Sequence, residues 1–153
     1  MRLFYKLKRK LRIPFLIISV IVIGAVISGY FSTEQFGPYQ VISVIDGDTI
    51  VCNISNAPTT VRLIGVNTPE SVHPDPTKNT AEGVIASQFT KSVLVGKSVY
   101  LEYDIDKYDD YGRTLAYVYV DGTMFNETLI EQGYAKIMII PPNVKHAIKL
   151  LVD

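Results

Sequence analysis

Apolar and polar positions divide the chain into two regimes. Residues 13–31, from Ile13 to Phe31, are almost wholly apolar and uncharged. From Tyr39 onward, short alternating runs are broken by turn residues. The first regime can cross a bilayer as a helix, which takes about 20 apolar residues. Residues 1–12 are basic, and a basic cluster beside a span stays cytoplasmic. Residues 1–31 therefore predict a basic tail plus a transmembrane anchor, with the remainder outside the cytoplasmic membrane. A cleaved signal peptide is the other reading, with Val26-Ile27-Ser28 as its cleavage region. The length of the apolar run favours the anchor, and the absence of a cysteine directly after it excludes a lipoprotein. A core helix would show polar periodicity, and this run shows none.

Residues 32–38 read as a linker. Tyr39–Ile45 is a loosely alternating strand that stops at the Asp46-Gly47-Asp48 turn. Thr49–Ile54 and Thr59–Val66 are two further strands, joined by a turn over Ser55–Pro58. Residues 71–79 are polar and Pro-rich, hence a loop. Asn79 followed by Glu82 has capping-box spacing, and Ala81, Ile85, Phe89 and Val93 recur at helical intervals, so residues 80–95 predict an amphipathic helix ended by Gly96. Ser98–Tyr103 and Thr114–Val120 are strands on either side of an acidic, tyrosine-bearing loop. Asn126 can cap a short helix that stops at Gly133, and Val144–Val152 reads as a last helix. Five strands with a helix between the third and fourth predict a mainly β, α+β domain over residues 39–153. The expected architecture is a five-stranded OB-fold barrel with two to three helices.

Composition changes this picture in two ways. The chain has fifteen basic and fifteen acidic residues, so its formal net charge is zero. Six of the bases lie in the first twelve residues; from residue 13 onward nine positive side chains face fifteen negative ones, a net of −6. A domain that grips nucleic acid through a broad basic surface does not look like this. Any attraction for a polyanion must come from a bound cation and a few placed arginines. Cys52 is the one cysteine, so neither an internal disulfide nor a thiolate metal cluster is available. Its apolar surroundings make it a buried hydrophobe.

The densest chemistry lies in Val61-Arg-Leu-Ile-Gly-Val-Asn-Thr-Pro-Glu70. A strand here runs into a turn forced by Pro69. It delivers a guanidinium (Arg62), an amide oxygen (Asn67), a hydroxyl (Thr68) and a carboxylate (Glu70) within nine residues. Buried charge is costly unless paired or liganded, and such a load suits a site holding a cation and a phosphate together. Taken singly, each residue has a plainer reading: a turn former, a solvated acid, half of a surface ion pair. His73 and His146 read as solvated.

Four pieces in order carry a resemblance. They are Asp46-Gly47-Asp48-Thr49, Arg62 to Glu70, Asp109-Asp110-Tyr111-Gly112-Arg113 with Leu115-Ala116-Tyr117, and the helix end Asn126-Glu127 through Tyr134-Ala135. From about Tyr39 to Asn143 the chain resembles the staphylococcal nuclease (thermonuclease) family. The resemblance implies an OB barrel with helices and a Ca²⁺-dependent phosphodiesterase acting on DNA and RNA. It implies catalytic roles for Arg62, Glu70 and Arg113, with Glu70 as general base and the arginines on the phosphoryl oxygens. It implies calcium ligands at Asp48, Asn67 and Thr68, the last through its backbone carbonyl, and a nucleotide contact at Tyr111. An all-oxygen set without histidine or thiolate disfavours zinc. No obligate protein partner is evident, and a monomer is expected.

Three departures bear on the site. Asn67 stands where the family usually has aspartate, which predicts weaker calcium binding. Asp110 replaces a lysine, and Ile139 stands where an aromatic is usual; both predict a looser grip on nucleotides. The chain also stops at Asp153 within the last expected helix, so that helix reads as shortened. The alternative is a catalytically silent OB module that binds nucleic acid or a protein. Loss of either arginine or of the glutamate would signal it, and all three are present.

Overall fold

The computed structural model describes residues 34–152. The tail and span expected over residues 1–31 lie outside the described residues. Among the described residues no helix is long and apolar enough to cross a membrane.

Strand β1 (Gln35–Asp46) begins inside the stretch expected to be a linker. Gln35 and Phe36 pair with Glu102 and Leu101, so four residues more than foreseen join the sheet. Phe36 lies against Tyr103, with ring centroids 5.1 Å apart, and this contact extends the strand past the Gly37-Pro38 interruption. β1 pairs antiparallel with β2 (Thr49–Ile54), and β2 with β3 (Ala57–Leu63). The β2–β3 turn is tighter than the expected four residues. Ser55 and Asn56 take φ of 53° and 62°, the mirror-image turn that suits the right-handed twist of a hairpin. The strand after it also stops earlier than expected: β4 (Gly65–Asn67) leaves the barrel sheet and pairs with β8 (Lys136–Met138).

On the other side of β1 lies β5 (Ser98–Glu102), followed by β6 (Thr114–Val120) and its short hairpin partner β7 (Thr123–Met124). A parallel seam closes the circuit: Val61, Arg62 and Leu63 of β3 align with Thr114, Leu115 and Ala116 of β6. The result is the expected closed five-stranded barrel. Its interior is filled by side chains such as Val41, Ile50, Val61, Leu63, Leu101 and Val118, all essentially buried. Each large aliphatic chain buried this way contributes roughly 1.5–3 kcal/mol relative to exposure. Cys52 belongs to the same core, and burial pushes its thiol up to about 12.

Among the described residues three helices dress the barrel: α1 (Ala81–Leu94), α2 (Phe125–Glu131) and α3 (Ala147–Val152). Thr80, not Asn79, caps α1; its hydroxyl accepts from Gly83 N at 3.0 Å. Asn79 instead ends the preceding 3₁₀ turn (Pro76–Lys78) and accepts from His73 N. Of the expected inward face of α1, Phe89 and Val93 pack against the core, but Ala81 and Ile85 are exposed and the buried positions are Gly83, Ala86, Ser87, Thr90 and Leu94. Small residues win that face because α1 lies against backbone: Thr90 Oγ1 donates to Gly47 O at 2.7 Å. Asn126 is likewise no cap. It is fully buried inside α2, accepting from Val118 N at 2.9 Å and donating to Ile64 O at 2.8 Å.

The start of α3 is held by a buried acid. Glu102 is fully buried and accepts from Tyr119 Oη at 2.7 Å, with His146 Nε2 at 2.9 Å and Lys145 Nζ at 2.7 Å. His146 is thus a partner of the barrel, not the solvated residue expected. Burial alone would raise the Glu102 pKa, but Lys145, Tyr119 and His146 together hold it below the usual carboxylate range. A carboxyl depressed in the folded state stabilises fully above its unfolded value and loses that contribution as pH falls through the folded one. Glu102→Gln is expected to cost about 1–3 kcal/mol at pH 7, the usual result of unmaking buried charge-assisted hydrogen bonds, since the Lys145 left behind is partly exposed. It should also flatten the loss of stability between neutral and acid pH. Urea unfolding at several pH values reads both effects.

Candidate active site

Turn geometry gathers the site at one rim of the barrel. Asp46 closes the β1–β2 turn by accepting from Gly47 N at 2.8 Å, and its carboxylate also accepts from Ser71 Oγ at 2.7 Å. The turn needs glycine because a Cβ on Gly47 would stand 2.8 Å from both Thr68 Oγ1 and Thr68 Cγ2. Asp48 then points back across the rim. Its carboxylate accepts from Thr49 Oγ1 at 3.0 Å and from Thr68 N at 2.8 Å, and it pairs with Arg62 at 3.0 Å.

Arg62 is the most constrained of these side chains. Its Nη1 donates to Leu63 O at 2.8 Å and Val66 O at 2.9 Å; its Nη2 reaches Asn67 Oδ1 at 3.1 Å as well as Asp48. Its two Nη nitrogens thus make three hydrogen bonds and one ion pair within the fold. Burial pulls its pKa below the ordinary guanidinium value; Asp48 opposes this most, Arg113 adds to it, and Glu70 and Asp46 oppose it. Charged groups from three separate stretches of chain, Asp46 and Asp48 of one turn, Glu70 and Arg113, therefore surround one guanidinium.

Arg113 is held differently. Its Nε donates to Asp109 Oδ2 at 2.6 Å, while Asp109 Oδ1 accepts from the backbone N–H of Arg113 and of Tyr111. Burial works to raise the Asp109 pKa, but the backbone and side chain of Arg113 outweigh it and hold the carboxyl below the usual range. The guanidinium lies 5.4 Å from the centre of the Tyr111 ring, which is exposed. Arg62, Arg113 and Tyr111 line one cleft of about 410 Å³, whose apolar wall is Met138, Ile140, Pro141 and Pro142. Asn143 pins this loop to the domain: it accepts from Asp106 N at 2.8 Å and donates to Asp106 O at 2.9 Å.

Glu70, Asp48, Asn67 and Thr68 do not line that cleft; Arg62 is the residue common to both groups. Glu70 is exposed, but its backbone is clamped: its carbonyl accepts from Thr80 N at 2.9 Å, and Gly83 of α1 packs directly on it. A Cβ on Gly83 would collide with the Glu70 carbonyl and stand 2.7 Å from Pro69 O. Alanine for glycine inside a helix normally gains about 1 kcal/mol. Here Gly83→Ala is expected to destabilise by about 1–3 kcal/mol, as overpacking does, and to lower kcat through a displaced Glu70. Thermal unfolding together with initial-rate kinetics would check both parts.

The oxygens beside Arg62 suit a hard cation in kind. Thr68 Oγ1 is buried and has no hydrogen-bond partner among the described residues, which leaves an acceptor for one. The charge is thin, however. Among the described residues no three Asp, Glu, His or Cys side chains group as a cation cage, and Asp48 already answers Arg62.

Several contributors escaped the sequence reading. Asp109 was visible only as part of a motif, although an acid four residues before an arginine signals the pair. Asn143 and Ser71 gave no signal, since their partners lie 37 and 25 residues away.

A closed five-stranded barrel with guanidinium groups at its rim belongs to the polyanion-handling class of OB folds. The family described as Staphylococcal nuclease homologue matches residues 60–153, and the chain belongs to that family. It is 48% identical over 118 residues to a thermonuclease of Staphylococcus intermedius, covering 76% of this chain and 70% of that protein. It is 43% identical over 142 residues to a thermonuclease of Staphylococcus hyicus, covering 83% of each. Endonuclease YncB of Bacillus subtilis (strain 168) is 39% identical over 111 residues, which cover 71% of this chain and 52% of that protein.

Proposed function

We propose that the chain is a nuclease, a hydrolase of phosphodiester bonds in DNA and RNA, with its reaction centred on Arg113, Arg62 and Glu70. One observation carries the reading: Arg62, paired with Asp48 at 3.0 Å and donating to Asn67 Oδ1 at 3.1 Å, lines the same cleft as Arg113. Arg113 uses only Nε on Asp109, so its Nη groups can fork the non-bridging oxygens of a phosphate. Charge builds on those oxygens as the transition state forms, and fixed donors there lower the barrier. Glu70 accepts the proton of a water that attacks phosphorus; the new P–O bond forms as the bond to the leaving oxygen breaks. Arg62 supplies positive charge while holding Asp48 and Asn67 in place. Tyr111 offers a face to a sugar or base.

Asp48, Asn67 and Thr68 would hold a calcium ion. When bound, the ion supplies charge that polarises the phosphate and offsets the acidic surface. Asn67 keeps a ligand oxygen but forgoes a charge, so Asn67→Asp is expected to tighten Ca²⁺ binding about tenfold or more, one added charge at an all-oxygen site; calorimetric titration reads it directly. The apolar run at residues 13–31 behind a basic tail supports action outside the cytoplasmic membrane, anchored or released.

Plasmid DNA incubated with the full chain, with and without EGTA, tests the reading. Cleavage that EGTA abolishes and Ca²⁺ restores is the expected result. A folded protein that binds DNA but never cuts it would make the barrel a binding module.

A further inference from the structure

We propose that Asp106 and Asp110 make the cleft selective by charge, so that a bond beside a terminal phosphomonoester is disfavoured over one beside a hydroxyl end. The proposal rests on the nuclease reading above. Five charged side chains line the cleft: Arg62, Arg113, Asp106, Asp109 and Asp110. Three of them are already answered, Arg62 by Asp48 at 3.0 Å, and Arg113 and Asp109 by each other at 2.6 Å. Asp106 and Asp110 are exposed, and among the described residues their carboxylates make no hydrogen bond or ion pair. The unpaired charges of a cleft meant for a polyanion are therefore both negative. Among the described residues no lysine or histidine lines it, and its apolar lining of Met138, Ile140, Pro141 and Pro142 offers no cation.

A scissile phosphodiester brings one negative charge, which the free Nη groups of Arg113 can meet. A terminal phosphomonoester brings about −1.5 to −2 at neutral pH and seeks several strong donors. Next to the reacting bond it would meet Asp106, Asp110 and an apolar wall, with no second guanidinium fork to spare. Repulsion of this kind sets specificity by penalising the wrong partner.

The test uses oligodeoxynucleotides of one sequence that end in either a hydroxyl or a phosphate, at the 3′ end in one pair and the 5′ end in the other. With the full chain, cleavage of the terminal bond is expected to be about tenfold or more slower beside the phosphate at one of the two ends, the scale of a like-charge penalty. In the Asp106→Asn/Asp110→Asn protein the rate on the phosphate-ended oligonucleotide should rise until the two differ by less than about threefold. A rise cannot come from misfolding. Equal rates at both kinds of end in the unaltered protein, or a gap that survives both substitutions, overturns the proposal. The same oligonucleotides are also compared by fluorescence anisotropy on Glu70→Gln protein, which reads the discrimination without turnover. If both ends are cut alike, only this proposal falls; if nothing is bound or cut, the nuclease reading falls and takes it along.

Discussion

Glu70→Gln is expected to slow DNA cleavage by about 10²–10⁴-fold, the usual worth of a positioned proton acceptor. The loss should fall on kcat, because the amide keeps the size of the side chain and loses only its basicity. The fold should not notice. Glu70 is exposed, and what fixes it is its backbone: the Thr80 N–H on its carbonyl and Gly83 packed behind it. Thermal unfolding should therefore be unchanged while the rate collapses. A variant that retains more than about a third of the rate would place the proton transfer elsewhere.

Arg113→Lys is expected to lower kcat/KM by about 10²–10³-fold, comparable to removing a fixed donor from a charge-stabilising site. The reason lies in how Arg113 divides its donors. Nε is committed to Asp109 at 2.6 Å, leaving the two Nη groups for a phosphate. A lysine ammonium is one point charge, so it can stay on Asp109 or turn to the substrate, but not span both. The loop itself should hold, because Asp109 also accepts from the backbone N–H of residues 111 and 113. Steady-state kinetics beside a melting curve would separate loss of the fork from loss of the loop. An unchanged kcat/KM in a normally folded variant would remove Arg113 from the reaction.

Much of the barrel was legible because alternation and turn chemistry are local. Thr49–Ile54 and Thr114–Val120 stand where the pattern placed them. What failed was decided by contacts distant in sequence. Spacing put Ala81, Ile85, Phe89 and Val93 on the inward face of α1; Phe89 and Val93 do pack on the core, yet where the helix rests on backbone the small residues Gly83, Ala86 and Thr90 are buried and Ala81 and Ile85 are exposed. Asn126 looked like a cap; a partner at Ile64, 62 residues earlier, drew it into the core. The site shows the same division. Motifs named Arg62, Glu70 and Arg113, but nothing local said that the Nη groups of Arg62 would be satisfied internally while those of Arg113 stayed free. Nor could spacing reveal that Glu102 and His146, 44 residues apart, would meet.

The parallel seam between β3 and β6 brings the two arginines proposed to hold phosphate to one cleft. Arg62 rides on one of its strands, and Arg113 directly precedes the other. With these edges apart the two guanidiniums would lie on separate pieces of chain, so the proposed phosphate grip belongs only to the closed barrel.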